Sequence, residues 1–176
     1  YELSEVEWLF DMSITNFPFV PSGDLLSKYT NGDKRETLWF NANGSISKRA
    51  QKSGWGPNRT IRISEAYLNR AEALVLSQNA NIGEALADLN ELRRHRIVGY
   101  QDISISDATI LLGEIRVERR LELCFDGHRW FDLRRTTRPR IEKVIDGKTY
   151  ILEKDDARYT LRIPQAAIDA NPELQH

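Results

Sequence analysis

Cysteine is almost missing from this sequence: Cys124 is the single one among 176 residues. That excludes an internal disulfide framework and a cysteine-rich zinc site. Cys124 stands between Leu123 and Phe125 in an apolar helical stretch, where a small buried hydrophobe is expected. Histidine is scarce too, and His95, His128 and His176 show no metal-ligand spacing. The G-x-S-x-G elbow of many serine hydrolases is lacking. So is an excess of either charge: formal net charge is −1, which gives no pointer to nucleic acid or an anionic membrane surface. Long apolar runs are also lacking. The longest clusters, such as Ala73-Leu74-Val75-Leu76, make one helical turn, far short of a membrane span. The sequence opens on Tyr1, without methionine, signal peptide or lipidation site, so a processed chain or a fragment is expected.

What is present suits a folded domain: 40% of residues are hydrophobic and 29% charged. Residues 1–60 are rich in turn formers, including Phe17-Pro18-Phe19-Val20-Pro21-Ser22-Gly23, Asn31-Gly32, Asn43-Gly44 and Gly54-Trp55-Gly56-Pro57-Asn58. Between the turns, Asp24 to Tyr29 reads as a short helix and Glu36 to Asn41 as a short strand.

From Arg62 the pattern changes. Helix formers dominate to Ser77, without Gly or Pro. Three- and four-residue steps put Ile63, Ala66, Tyr67, Arg70, Ala71 and Leu74 on one face. After a break at Asn79–Gly83, a second helix is expected from about Ile82 to Arg96, with Ile82, Ala85, Leu86, Leu89 and Leu92 inward. The two form a helical hairpin about the size of a tetratricopeptide repeat, roughly 34 residues. One such unit cannot bury its own face, so helical partners are required. A third helix, capped by Ser106 or Asp107, spans about Ala108 to Phe125, with Ile110, Leu111, Ile115, Glu118, Leu121 and Phe125 inward. A short fourth helix covers roughly His128 to Arg134. Asp146-Gly147, between Ile141–Ile145 and Thr149–Leu152, signals a β-hairpin. Tyr159 to Ile163 reads as extended, and Gln165 to Ala170 as a helical turn. The fold class is therefore mainly α: tetratricopeptide-like helix pairs with long irregular loops and one or two small β-hairpins.

Three stretches resemble the SusD/RagB family of outer-membrane nutrient-binding lipoproteins. The first is Arg62-Ile63-Ser64-Glu65-Ala66-Tyr67-Leu68-Asn69-Arg70-Ala71-Glu72-Ala73 with Asp88-Leu89-Asn90-Glu91-Leu92-Arg93. The second runs from Glu118-Arg119-Arg120-Leu121-Glu122 through Asp126-Gly127-His128-Arg129-Trp130-Phe131-Asp132 to Leu133-Arg134-Arg135. The third is Leu161-Arg162-Ile163-Pro164 leading to Asn171-Pro172-Glu173-Leu174. In this order they look like that family's C-terminal portion. Asp126 stands where glutamate is usual, and Arg162 where proline is frequent. The resemblance implies residues 1–60 as a loop-rich variable segment and candidate ligand face, and 61–176 as the C-terminal helical region. N-terminal repeats and the lipidated cysteine would lie outside this chain. It further implies a location on the outer membrane at the cell surface, lipid-anchored in the full-length protein. The implied ligand is a glycan, an oligo- or polysaccharide, or a peptide in some members. The implied partner is a TonB-dependent, SusC-like outer-membrane transporter. No enzyme activity and no cofactor are expected.

Catalytic readings find little support. Glu114, Glu118 and Glu122 form one row along a helix, which suggests a metal or paired carboxylates. Arginines crowd that row, however, and no His-bearing metal motif accompanies it. A buried ion-pair network is favoured, with Glu118 and Asp132 expected to meet Arg62, Arg70 or Arg129. A glycosidase pair is singled out nowhere among the 26 acidic residues. Ligand binding is better served by the aromatics of the first third. Trp55, Trp39 and Tyr29 offer flat faces suited to sugar rings, with Asn43 and Asn58 beside them as hydrogen-bonding groups. The competing role for each aromatic is to plug the core beneath the loops, as expected for Trp8 and Trp130. A helical-repeat adaptor without soluble ligand, or a hydrolase of the same glycans, are the rival functions.

Overall fold

The computed structural model describes residues 21–41, 62–145, 147–161 and 163–174. The chain divides into two compact units, Tyr1–Gly127 and His128–His176. In the first, α1 (Gly23–Leu26) and α2 (Lys34–Trp39) precede three longer helices: α3 (Ile63–Leu76), α4 (Ile82–Arg96) and α5 (Ala108–Glu122). The second holds α6 (His128–Arg135), strands β1 (Ile141–Ile145) and β2 (Lys148–Leu152), and α7 (Gln165–Ala170). Short 3-10 turns at Ala157–Tyr159 and Pro172–Leu174 complete it. The fold is mainly helical, as the sequence implies.

Local chemistry sets the helix starts. Asn81 Oδ1 accepts from the Glu84 amide at 3.1 Å and opens α4. Asp107 does the same for α5, taking the Ile110 amide at 2.9 Å. Leu68, Ala71 and Val75 of α3 meet Ala85, Leu89 and Leu92 of α4 and Leu111 and Ile115 of α5 in one buried cluster. The inward face of α3 differs from the expected one. Ala71 is buried, but Ile63 is 78% exposed, and Ala66 and Arg70 are exposed as well. Two apolar stripes compete on this helix. The one bearing Leu68 and Val75 faces the core, and on the same face Ser64 bonds Glu122 and Glu72 meets Arg116 of α5. On α5, Ile110 is exposed, and the helix ends at Glu122 rather than at Phe125, which is exposed as well, so the inward stripe is narrower than expected.

The connection from α4 to α5 is tied down by one amide. Asn90 donates to the Ile103 carbonyl at 3.1 Å and accepts from the Ile103 amide at 3.2 Å and the Tyr100 hydroxyl at 2.7 Å. That satisfies the backbone of a non-helical segment lying against the core.

A second cluster joins the start of the described chain to the end of α5. Leu25, Tyr29 and Phe40 are buried with Leu121 and Cys124. Cys124 is thus the buried hydrophobe its neighbours suggest. The expected strand from Glu36 to Asn41 is instead helical: α2 runs Lys34–Trp39. Asp33 caps it through the Arg35 amide at 2.9 Å, and Glu36 supplies first-turn acidity. Asp33-Lys34-Arg35-Glu36 is a capping-box-like start, and it overrides the β-leaning Thr37-Leu38-Trp39-Phe40.

In the second unit, β1 and β2 pair antiparallel, Ile141 opposite Leu152 and Ile145 opposite Lys148. Gly147 sits at φ +75° in the turn, a conformation that suits glycine. Trp130 is half-buried, stacked on Tyr159 with ring centres 5.2 Å apart. The Tyr159 hydroxyl donates to the Pro139 carbonyl. The Tyr159 end of the expected extended segment is a 3-10 turn, started by the Asp156 side chain accepting the Arg158 amide.

Candidate functional site

Arg35 projects from the first turn of α2 into the protein, its side chain 2% exposed. Its Nε and Nη2 donate to the Asp33 carboxylate at 3.0 and 2.7 Å. Its Nη1 donates to Glu122 Oε2 at 3.0 Å and lies 2.7 Å from Glu118 Oε1. The Glu118 contact is ionic rather than a directed hydrogen bond. Burial opposes charge on this guanidinium. The hydrogen bond to Asp33 and the charges of Glu118, Asp33 and Glu122 outweigh it, so its pKa is raised.

The network continues into α4. Arg93 donates to Glu118 Oε2 and Glu114 Oε2, both at 2.7 Å. Arg96 forks onto Glu122 at 2.8 and 2.9 Å, the bidentate geometry that makes arginine suitable for buried carboxylates. Burial tends to raise the Glu122 pKa. The hydrogen bond and charge of Arg96, the charge of Arg35 and the Ser64 hydroxyl oppose this and hold it down at about 2. The other edge of α5 carries arginines toward α3: Arg116 meets Glu72 at 3.2 Å, and Arg119 meets Asn69 at 2.7 Å and Glu65 at 3.3 Å.

The carboxylate row of α5 is therefore occupied by guanidinium groups. Among the described residues, no cluster of His, Cys, Asp and Glu is arranged to hold a metal ion. The expectation of a buried network around Glu118 holds, with different partners. Glu118 meets Arg35 and Arg93. Arg62 meets Asp126 at 3.4 Å, and Arg70 meets Asp88. Asp132 pairs with Arg135 one turn along α6, at 3.0 Å. Helical proximity explains the last case: a partner three residues on costs little to reach.

Of the sequence-derived binding candidates, the structure places Tyr29 and Trp39 together. Tyr29 is 8% exposed, and its hydroxyl donates to the Leu121 carbonyl at 3.1 Å. It belongs to the core. Trp39 is half-buried at the end of α2, beside Leu38, which is 66% exposed. The Arg35 guanidinium lies 5.7 Å from the Tyr29 ring centre and 5.9 Å from the Trp39 ring centre, within cation–π range of both. Trp55, Asn43 and Asn58 lie outside the described residues, as does Trp8. Arg35 and Asp33 escape a reading that takes this segment as a strand; the signal that finds them is the capping pattern Asp33 to Glu36.

A helical hairpin locked to a third helix by interhelical ion pairs, with a small unit of helix and β-hairpin following in the sequence, defines a mainly helical protein. The model of the SusD family matches residues 21–176, and the chain belongs to that family. Its fold is similar to that of a SusD superfamily protein from Bacteroides fragilis, with 23% identity and a TM-score of 0.64 over 86% of this chain and 37% of the other. A SusD-like carbohydrate binding protein from Bacteroides vulgatus is similar at 22% identity and a TM-score of 0.59, covering 89% of this chain and 41% of the other. A SusD superfamily protein from Parabacteroides distasonis is similar at 18% identity and a TM-score of 0.60, covering 87% and 40%. The chain thus spans about two-fifths of the length of these structures. No curated protein matches it.

Proposed function

We propose that this protein captures a glycan at the cell surface, on the outer face of the outer membrane, and passes it to a TonB-dependent transporter. It acts as a binding subunit, lipid-anchored in its full-length form, and not as an enzyme. The observation that carries this reading is the SusD-family match across residues 21–176. The carbohydrate-binding description of the similar Bacteroides vulgatus protein supports it. The occupied carboxylate row of α5 agrees with it, because arginines hold Glu114, Glu118 and Glu122 where a hydrolase would keep a free pair.

The ligand surface is assigned to the first third of the chain: Trp39 at the end of α2, with Trp55, Asn43 and Asn58 in the segment that follows. Tyr29 supports that surface from the core. An indole face covers the apolar C–H face of a sugar ring, and amides bond the hydroxyls around it.

Affinity electrophoresis of the full-length protein against a polysaccharide panel tests the reading, with Trp39→Ala and Trp55→Ala beside it. Retardation by one glycan, lost in either variant, is the expected result. Retardation untouched by both changes would keep the function and remove the site from this segment. No retardation, followed by capture of peptides, would replace the ligand class. Release of reducing ends from a retarding glycan would contradict the non-enzymatic role.

A further inference from the structure

Most residues of α2 face outward; Arg35 is its buried residue, and Trp39 packs partly against the core cluster of Leu25, Tyr29 and Phe40. Arg35 is the buried charge through which α2 reaches α5, by Glu118 and Glu122. Those same carboxylates are gripped from α4 by Arg93 and Arg96. Asp33, which caps α2, closes the fork from the other side, and its residue is bridged to Ile97 at the end of α4. The guanidinium that Asp33, Glu118 and Glu122 immobilise also lies over the Trp39 ring. A ring facing a fixed cation has fewer orientations than one without it.

We infer that Arg35 is a positioning residue: anchored on Asp33, Glu118 and Glu122, it sets the orientation of the Trp39 indole and so pre-organises the ligand-facing end of α2. This inference rests on the binding surface proposed above, for its functional half alone. The orientation of Trp39 is a property of the protein without ligand. Arginine is required at this position rather than any cation. Its planar fork serves three carboxylates while presenting a flat face to an aromatic ring, and an ammonium group does not do both.

The test uses the full-length protein in six forms: the parent, Arg35→Lys, Trp39→Phe, Trp39→Ala, and Arg35→Lys combined with each of the two Trp39 changes. The Trp39 fluorescence is isolated as the difference between each Trp39-bearing form and its Trp39→Phe counterpart. The expected result is that Arg35→Lys keeps a cooperative melt but shifts the Trp39 emission to the red and makes it more readily quenched by iodide. Affinity for the retarding polysaccharide is expected to fall about tenfold, the size of one well-placed aromatic contact. Arg35→Lys should add nothing further in a Trp39→Ala background. Unchanged Trp39 emission and quenching in Arg35→Lys overturn the inference whatever the ligand does. So does a loss of affinity that is equally large in the Trp39→Ala background, because Arg35 would then act elsewhere. If Trp39→Ala alone leaves affinity unchanged, the proposed surface is what fails, and the emission result still decides whether Arg35 orients the ring. Should Arg35→Lys not fold, Asp33→Asn leaves the guanidinium its Glu118 and Glu122 partners and carries the same readouts.

Discussion

Charged side chains in this protein are buried in company. Glu118 and Glu122 are both almost fully buried, and each meets two arginines. Replacing Glu118 by Gln leaves Arg35 and Arg93 short of an anion in a water-poor site. A loss of about 3–5 kcal/mol is expected, read by urea unfolding of the full-length protein; a loss under about 1 kcal/mol would mean that the pair is hydrated. Glu122 gives a pH signature. Its pKa is about 2 in the folded protein against an ordinary 4.5, so as pH falls the unfolded chain takes up the proton first. The stabilisation is complete above pH 5 and erodes as pH falls toward 2, by roughly 2 kcal/mol at pH 3. Glu122→Gln should flatten the pH 5-to-3 decline by that share; an identical slope in the variant would contradict the assignment. That a network surrounds Glu118 is legible in the sequence, because carboxylates and arginines are dense there. Its partners are not legible, because pairing is decided by which helix faces which, and Arg35 lies 83 positions upstream (118 − 35).

Helices of ordinary length are legible in the sequence; short pieces divide, with α7 legible at Gln165–Ala170 and α2 not. The bounds of α4 and both hairpin strands follow from caps, periodicity and Asp146-Gly147. The inward face of α3 does not, since two stripes of similar apolarity share that helix and only its neighbours choose between them. Nor does α2, whose six residues are too few for a period to show. The binding candidates divide the same way. Tyr29 and Trp39 could be picked out by residue type, but type alone does not tell a core ring from an outer one. The hairpin offers a test of its own. A methyl group at Gly147 would meet no atom within 4 Å, so Gly147→Ala isolates the strain of φ +75°. The expected cost is about 1 kcal/mol, seen as roughly fivefold faster exchange of the β1–β2 amides. Unchanged exchange would show that the turn relaxes freely.

Across the molecule, ion pairs fall into two populations that salt should separate. Arg35, Glu118 and Glu122 are secluded, whereas Arg94 with Glu91 and Asp102 stands in solvent. Between 0.1 and 1 M NaCl the screening length shrinks from about 10 to about 3 Å. The small destabilisation caused by Arg94→Ala should vanish across that range in urea melts. The larger one from Glu118→Gln should persist, and parallel decay of both would mean that water reaches the network. Family membership was legible because three separated motifs, spread over both compact units, occur in the right order. Ligand contacts were not, since they depend on loop geometry that residue patterns leave open.

The carboxylates of α5 recur every four residues, which makes the helix a ratchet. Advance it by one turn toward its C-terminus and Glu114 replaces Glu118 and Glu118 replaces Glu122, while Ile110 takes the place where Glu114 met Arg93. What stops the ratchet is the other end of the helix. The same step drives the charged Asp107 into the place of Leu111, which is wholly buried. Electrostatics reject the second seat on the opposite edge, where Leu112 and Ile115 would stand in place of Arg116 and Arg119 before Glu72 and Glu65. The buried Leu111 adds an apolar tooth to that lock, so Leu111→Asn should lower the urea midpoint of the full-length protein, and an unchanged midpoint would show that the tooth is not needed.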